Sequence, residues 1–189
     1  MAVHEPSYSP EQIESLRRRI DRPIVLVGLM GTGKSSIGRK LAAALSLPFV
    51  DADEAIEEAA QMSINEIFAR YGEGAFRDGE RRVIGRLMEQ DNGVIATGGG
   101  AFVNDETRAL ILDKGITVWL DADVDTLVER VGRKDNRPLL KNGDPHEILS
   151  QLRETRNPFY AQAPIHVRSE PGPHQRTLNR ILKGIDRWL

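Results

Sequence analysis

Cysteine is absent from this 189-residue sequence. Disulfide bonds, thiolate nucleophiles and cysteine-ligated zinc are therefore excluded. The four histidines lie far apart and share no spacing typical of metal ligands, so we expect ordinary surface or core positions for all of them. They are His4, His146, His166 and His174.

Long apolar runs and a strong net charge are also missing. The longest apolar stretch, Ile24–Met30, is far shorter than the roughly 20 residues that a membrane helix needs. The N-terminal segment lacks the basic and apolar regions of a secretory signal. The net charge of −2 provides no general basic field for nucleic acid or anionic membrane. We therefore expect a cytoplasmic protein, by default a monomer, that binds neither nucleic acid nor membrane.

The length suits one well-buried domain and is too short for two ordinary ones. We interpret residues 1–22 as an N-terminal extension and residues 23–189 as a single domain. Within the extension, Ser9 is predicted to cap a short arginine-rich helix, with Pro10 at its first position and Gln12 at its third. That helix is expected to pack on the main domain.

From Ile24 onward, strand patterns alternate with helix patterns. The predicted strands lie near residues 24–27, 48–50, 93–97, 116–120 and 165–167. The predicted helices lie near residues 34–46, 54–60, 64–70, 74–90, 104–113, 123–132, 145–160 and from 174 onward. Alternation of this kind implies a parallel sheet covered on both faces. The expected fold is thus α/β, with three αβα layers and a central five-stranded parallel sheet.

A phosphate-binding loop is predicted between the first strand and its helix. Gly28–Ser35 fits the pattern G-x-x-x-x-G-K-[ST] in full. Glycines allow the backbone to approach phosphate closely, and the helix N-terminus favours anions. Lys34 would reach the β- and γ-phosphates, and the Ser35 hydroxyl would ligate Mg²⁺. The predicted nucleotide-binding residues of this P-loop are Gly31, Thr32, Gly33, Lys34, Ser35 and Ser36.

P-loops serve GTPases, large ATPases and small-molecule kinases. A GTPase is expected to carry an N-K-x-D motif, and the sequence has none. Large ATPases generally need a longer chain. These two absences favour a small kinase, which needs further residues to bind its acceptor.

Asp51 and Asp53 follow a predicted strand directly. Residues two apart in an extended chain point the same way, so both carboxylates could face one cleft. Asp51 could then hold a metal-bound water, while Asp53 binds an acceptor hydroxyl or takes its proton. The spacing from Asp51 to Glu54 also fits a helix capping box, and these residues alone leave the two interpretations open. Asp121 is a second strand-end acid, which we interpret as structural because a helix capped by Asp123 begins there.

Three further features favour an acceptor site. Arg77 and Glu80 lie three residues apart on one predicted helix. They could belong to an acceptor site, or they could form an ordinary surface ion pair. Thr97–Gly100 ends a strand at the sheet edge where open α/β folds bind ligands. Arg130–Leu140 is a basic, weakly structured segment, either a solvated loop or a lid that lowers Arg137 onto the transferring phosphate.

Six short motifs follow one another in order along the chain, and together they resemble the shikimate kinase family. They are G-L-M-G-T-G-K-S-S, D-x-D-E, G-E-x-x-F-R-x-x-E, T-G-G-G, R-P-L-L and R-N-P-x-Y, the last at Arg156–Tyr160. The resemblance runs from Pro23 to the C-terminus and leaves out residues 1–22. It implies transfer of the ATP γ-phosphate to the 3-hydroxyl of shikimate, in the route to chorismate and aromatic amino acids.

The resemblance also implies roles on the acceptor side. Asp53 would hold the acceptor hydroxyls and serve as the candidate base. Arg77 and Arg156 would clamp the shikimate carboxylate, a task that suits the planar fork of donors on arginine. Backbone contacts near the ring would come from Gly98, Gly99 and Gly100.

On the nucleotide side, the resemblance implies that Arg137 contacts the transferring phosphoryl group from a mobile lid at about residues 132–143. Arg130 would stack near adenine, and Arg168–Pro171 would correspond to the adenine loop, although its sequence departs from the usual pattern. Mg²⁺ would be held by Ser35 and the phosphates, with Asp51 acting through water. The predicted catalytic residues are accordingly Lys34, Asp53 and Arg137.

Two rivals stay open at this point. A gluconate or nucleoside-monophosphate kinase shares the small size, but Asp53, Arg77 and Arg156 together fit shikimate better. A catalytically silent nucleotide-binding regulator belongs to a different class, and it would be expected to have lost those acceptor residues.

Overall fold

The computed structural model describes residues 7–90, 92–133, 140 and 142–189. Within these ranges the fold is a five-stranded parallel sheet in the order β2-β3-β1-β4-β5. The strands are β1 (Ile24–Val27), β2 (Phe49–Asp51), β3 (Val94–Ala96), β4 (Ile116–Asp121) and β5 (Ile165–Arg168). The predicted α/β fold with a central parallel sheet is therefore confirmed.

Eight α-helices flank the sheet within the described ranges, and a short 3₁₀ helix, Ala101–Val103, follows β3. The α-helices are α1 (Pro10–Arg19), α2 (Lys34–Leu45), α3 (Ala52–Ala60), α4 (Ile64–Glu89), α5 (Asp105–Lys114), α6 (Val124–Val131), α7 (Pro145–Tyr160) and α8 (His174–Trp188). In the part of the chain that the structure describes, none of the helices has the length and apolar character needed to cross a membrane.

The central strand β1 separates two hydrophobic cores. Val25 and Val27 pack in the core on one face, whereas Ile24 and Leu26 pack in the core on the other. A strand buried on both faces must be apolar at every position, because alternate side chains point to opposite sides. This explains why β1 appears in the sequence as a continuous apolar run.

Gly72 interrupts α4. Its φ of 82° and ψ of 174° are not helical, so two arms meet at this residue. A Cβ at this position would meet nothing within 4 Å, so glycine is needed here for the backbone angle and not for space. The two helices predicted at 64–70 and 74–90 correspond to these arms, although they abut more closely than the sequence indicated.

Helix α1 packs against the second core. Ser9 caps it as predicted, with the reciprocal bond from Gln12. Leu16 is 1% exposed and lies in the same core cluster as Leu41 of α2 and Ile181 of α8. An apolar side chain buried to this degree contributes to folding wherever its helix lies in the sequence.

Most of the predicted lid lies outside the described residues. Residues 134–139 and 141 belong to it, and Arg137 is among them. The roles predicted for the lid and for Arg137 therefore stay predictions.

The burial of Leu16 generates a test of whether α1 belongs to the folded unit. Leu16→Ala should lower the free energy of unfolding by about 2–4 kcal/mol, because it removes buried methyl groups and leaves a cavity. Urea denaturation measures this change. Arg18→Ala, on the exposed side of the same helix, is the control and should stay within about 0.5 kcal/mol of the wild type. Equal effects of the two substitutions would mean that α1 is only loosely attached.

Candidate active site

All five strands are parallel, so their carboxyl ends meet at one edge of the sheet. The P-loop follows β1, Asp51 ends β2, and the three glycines follow β3. Segments distant in sequence therefore meet at the place where open parallel sheets bind ligands.

Three P-loop glycines adopt backbone angles that other residues rarely take. Gly28, Gly31 and Gly33 have φ values of 141°, 84° and 92°. A Cβ on Gly28 would collide with the carbonyl oxygen of Leu120, so the loop lies directly against the end of β4. Gly33 is the N-cap of α2. Because glycine has no side chain to cap the helix, the first-turn N–H groups of α2 are left available to an anion.

Lys34 and Ser35 begin α2 and point in different directions. The buried Nζ of Lys34 donates to the carbonyls of Gly28, at 2.7 Å, and of Leu29, at 2.9 Å, so the ammonium lies inside the curve of the loop. The Ser35 hydroxyl donates to Oδ2 of Asp51 at 2.5 Å. The nucleotide-side lysine and the serine–aspartate pair thus occupy adjacent parts of one site.

The structure confirms that Asp51 caps α3, while its role at a metal-bound water stays a prediction. Its Oδ1 accepts the backbone N–H of Asp53 at 2.9 Å and of Glu54 at 3.3 Å, which caps α3. Its Oδ2 is the oxygen that accepts from Ser35. A hydroxyl and a carboxylate held together are hard oxygen donors, and they fit the preference of Mg²⁺ for oxygen ligands.

Each of the three glycines after β3 faces a different polar side chain. A Cβ on Gly98 would lie 2.7 Å from Oδ1 of Asp53, and one on Gly99 would lie 3.4 Å from a guanidinium nitrogen of Arg156. A Cβ on Gly100 would overlap the guanidinium of Arg77. Gly98 and Gly100 therefore make room for Asp53 and Arg77, whereas a Cβ on Gly99 would make only ordinary contact with Arg156. The three side chains come from three different helices. The sequence motifs predicted that these residues share one site, but they did not show which glycine faces which side chain.

Glu80 fixes Arg77 from below. The two side chains are joined by a 2.7 Å bond between Nη1 of Arg77 and Oε1 of Glu80, and Glu80 is only 1% exposed. Burial raises the pKa of the Glu80 carboxyl, and the neighbouring Asp53 raises it further, while Arg77 and Arg156 oppose the shift. The alternative interpretation, an ordinary surface ion pair, is thus wrong, because Glu80 lies in the interior.

Tyr160 is a contributor whose role the sequence did not reveal. Its buried hydroxyl donates to the carbonyl of Gly99, and burial raises the pKa of that hydroxyl to about 12. The proton therefore stays on the oxygen at physiological pH and remains available to the carbonyl. The signal in the sequence was its place at the end of the R-N-P-x-Y motif, four residues after Arg156 on one predicted helix.

Arg130 joins the P-loop to the segment after β5. Its guanidinium donates to the carbonyl of Thr32 at 3.2 Å, to the Ser169 hydroxyl at 3.1 Å and to the Glu170 carbonyl at 3.2 Å. Desolvation lowers the pKa of this guanidinium, although arginine remains protonated. The arrangement brings the predicted adenine-side arginine next to the predicted adenine loop.

Asp121, the second strand-end acid, contacts Arg153 and His166. Its carboxylate accepts from Nη2 of Arg153 at 3.2 Å and lies 3.5 Å from Nε2 of His166. The structural interpretation of Asp121 is therefore supported, and Asp51 is the strand-end acid that contacts the P-loop helix.

The fold and the site together define a class. A P-loop at the edge of a parallel sheet faces a carboxylate and two arginines around a glycine turn, which suits a P-loop phosphotransferase acting on a small anionic acceptor. Comparisons with known proteins narrow the class.

The sequence model of the shikimate kinase family matches residues 30–186. A shikimate kinase of Novosphingobium aromaticivorans is 64% identical over 185 residues, which are 96% of each chain. One from Caulobacter vibrioides is 58% identical over 164 residues, covering 87% of this chain and 82% of that relative. The solved structure of an Acinetobacter baumannii shikimate kinase in complex with shikimate matches with a TM-score of 0.85 and 34% identity, covering 95% of this chain and 98% of that one. The chain belongs to the shikimate kinase family.

The space beside Gly100 generates a stability test. Gly100→Ala should lower the free energy of unfolding by about 1–3 kcal/mol, because its methyl group displaces Arg77 from the buried Glu80. Gly74→Ala is the control, since its Cβ meets nothing within 4 Å and lies in a helix. This control should be neutral or stabilise by about 0.5–1 kcal/mol. Urea denaturation compares the two, and a neutral Gly100→Ala would show that the glycine is not required for space.

Proposed function

We propose that this chain transfers the γ-phosphoryl group of ATP to the 3-hydroxyl of shikimate, giving shikimate 3-phosphate and ADP. The reaction belongs to the route to chorismate and aromatic amino acids. The observation that carries the proposal is the convergence of Asp53, Arg77 and Arg156 on the three glycines at the P-loop edge of the sheet. Family membership supports the same reaction.

On the acceptor side, Arg77 and Arg156 bind the shikimate carboxylate. Two arginines suit this task because each offers several N–H donors in one plane. Glu80 holds Arg77 in position, so that less side-chain freedom is lost when the substrate binds. Asp53 accepts a hydrogen bond from the hydroxyl that is to be phosphorylated and orients or deprotonates it. The backbone of Gly98, Gly99 and Gly100 contacts the ring.

On the donor side, the P-loop amides and Lys34 bind the ATP phosphates and stabilise the charge that develops during transfer. Gly31, Thr32, Gly33, Ser35 and Ser36 contribute to the same cradle. Arg130 contacts the adenine side, and contact between Arg137 and the transferring phosphoryl group stays a prediction, since Arg137 lies outside the described residues.

Mg²⁺ is the metal that the residues fit. Ser35 would ligate it, and Asp51 would hold one of its waters. When bound, the ion neutralises charge on the phosphate oxygens. The predicted cytoplasmic location and monomeric state stay predictions.

The direct test is an ADP-release assay with alternative acceptors. Shikimate should support turnover, whereas gluconate and nucleoside monophosphates should not. Asp53→Asn should lower kcat by about 10²-fold or more, because it removes the group that orients or deprotonates the hydroxyl. The exposed Asp105→Asn is the control and should keep wild-type turnover. Turnover with gluconate alone would establish the rival kinase, and no ADP release with any acceptor would favour a silent nucleotide-binding protein.

The raised pKa of Glu80 generates a second prediction, in which stability and substrate binding respond to pH in opposite directions. A raised pKa in the folded protein means that Glu80 favours folding below the usual glutamate range of about 4.3, and that this contribution is lost as the pH rises through the raised value. Arg77, however, needs an ionised partner. The KM for shikimate should therefore fall as the pH rises through the same window.

Glu80→Gln removes this titrating group and should make both profiles shallower than those of the wild type, since the contribution of Glu80 is lost while other carboxyl groups still titrate. Urea denaturation measures the stability profile, and initial rates at saturating ATP measure the KM. Glu66→Gln, at the exposed start of the same helix, is the control, because the pKa of Glu66 is lowered by its bonds to Ser63 and not raised. If Glu80→Gln kept the wild-type pH dependence of KM, the proposed role of Glu80 would be wrong.

A further inference from the structure

Helix α7 carries two residues of the candidate site, Arg156 and Tyr160. Both must be held at a fixed position relative to the glycine turn, since Arg156 faces Gly99 and Tyr160 donates to its carbonyl. Arg153 lies in the middle of the same helix, three residues before Arg156 and seven before Tyr160, which places all three on one face. It provides a further polar contact between this face and the rest of the protein.

Arg153 reaches the end of β4 and pairs there with Asp121. Nη2 of Arg153 lies 3.2 and 3.4 Å from the two carboxylate oxygens. Asp121 is only 8% exposed. Nε of Arg153 is also buried and has no hydrogen-bond partner among the described residues, so Asp121 supplies the interior bonds of this guanidinium. Asp123 lies nearby as well: its hydrogen bonds with Thr126 chiefly lower the pKa of its carboxyl, and Arg168 and Arg153 add a smaller attraction.

The same strand provides a second support for the helix. Trp119 and Asp121 are two apart on β4 and therefore point to the same side. The ring of Trp119 lies 6.0 Å from that of Tyr160 and stacks on His166 at 3.9 Å. His166 in turn lies 3.5 Å from Asp121. Polar and aromatic side chains at the end of β4 thus support α7.

Loss of these contacts at the end of β4 would affect the site through the helix. A helix turn is stiff, so a shift at Arg153 also shifts Arg156, which lies one turn further along the helix. A misplacement of about 1 Å can cost as much as 10²-fold in rate. The P-loop touches β4 at Gly28, against the backbone carbonyl of Leu120. Asp121 meets the nucleotide side through its backbone carbonyl, which accepts the N–H of Ser169 at 2.7 Å, and a change in the carboxylate alone leaves that bond in place. Loosening α7 should therefore affect the acceptor side first.

We propose that Asp121 is a positioning residue of the acceptor site, which orients Arg156 by pairing with Arg153 on the same helix. This inference rests on the proposed function, because its readout is shikimate binding. It also gives a function to the strand-end carboxylate that the sequence left as structural.

The test compares Asp121→Asn with the wild type in steady-state kinetics and in calorimetric titration with shikimate without nucleotide. The KM and Kd for shikimate should rise by about five- to tenfold, while the KM for ATP changes by less than about twofold. If the ion pair served only stability, its loss would lower the melting temperature without raising the shikimate KM more than the ATP KM. Arg153→Met should reproduce the effect from the other partner, and His166 remains beside Asp121 in that variant.

Epistasis with Arg156 tests the route of action. In an Arg156→Met background, Asp121→Asn should cause no further rise in the shikimate Kd, because the residue through which it acts is already gone. Asp186→Asn, which breaks the Arg19 pair near the C-terminus, is the control for loss of an ion pair elsewhere and should leave both KM values unchanged.

The outcomes separate the two proposals. If wild-type protein does not turn over shikimate, the proposed function fails. If it does, and Asp121→Asn and Arg153→Met leave the shikimate KM unchanged or raise both substrate KM values equally, the positioning inference is overturned while the function stands. An additive effect in the Arg156→Met background would also overturn it.

Discussion

Close approach of backbone segments at the sheet edge is the constraint on which the site depends. The P-loop begins against the carbonyl of Leu120, where a Cβ on Gly28 would collide. The lack of side chains at Gly98 and Gly100 leaves room for a carboxylate and a guanidinium. Glycine thus serves two purposes here, since it lets the P-loop lie against β4 and leaves space for the acceptor-side side chains.

Buried carboxylates that hold arginines appear twice at this edge. Glu80 holds Arg77, and Asp121 holds Arg153, with each acid far more buried than its partner. An isolated buried carboxylate is costly, so the arginine is attracted into one position and loses the freedom of a surface side chain. For Arg77 the held group is itself proposed to bind substrate. For Arg153 the held group fixes the helix that carries Arg156.

Much of the fold could be predicted because its signals are local. The apolar run of β1, the caps at Ser9, Asn104 and Asp123, and the P-loop pattern each depend on neighbouring residues. The capping of α3 by Asp51 was foreseen as an alternative to a role at the nucleotide. The structure shows that one oxygen of this carboxylate caps α3 while the other accepts from Ser35 of the P-loop, so the cap does not exclude the predicted role at the nucleotide.

Local patterns in the sequence predicted the P-loop and the α/β class, and the order of the motifs predicted that Asp53, Arg77, Arg156 and the glycine run share one site. The folded chain was needed to show which glycine faces which side chain, that Glu80 is buried, and that Asp121 pairs with Arg153. The difference arises from distance along the chain. Burial and pairing between residues 32 positions apart depend on how β4 and α7 pack, and no local pattern encodes that packing.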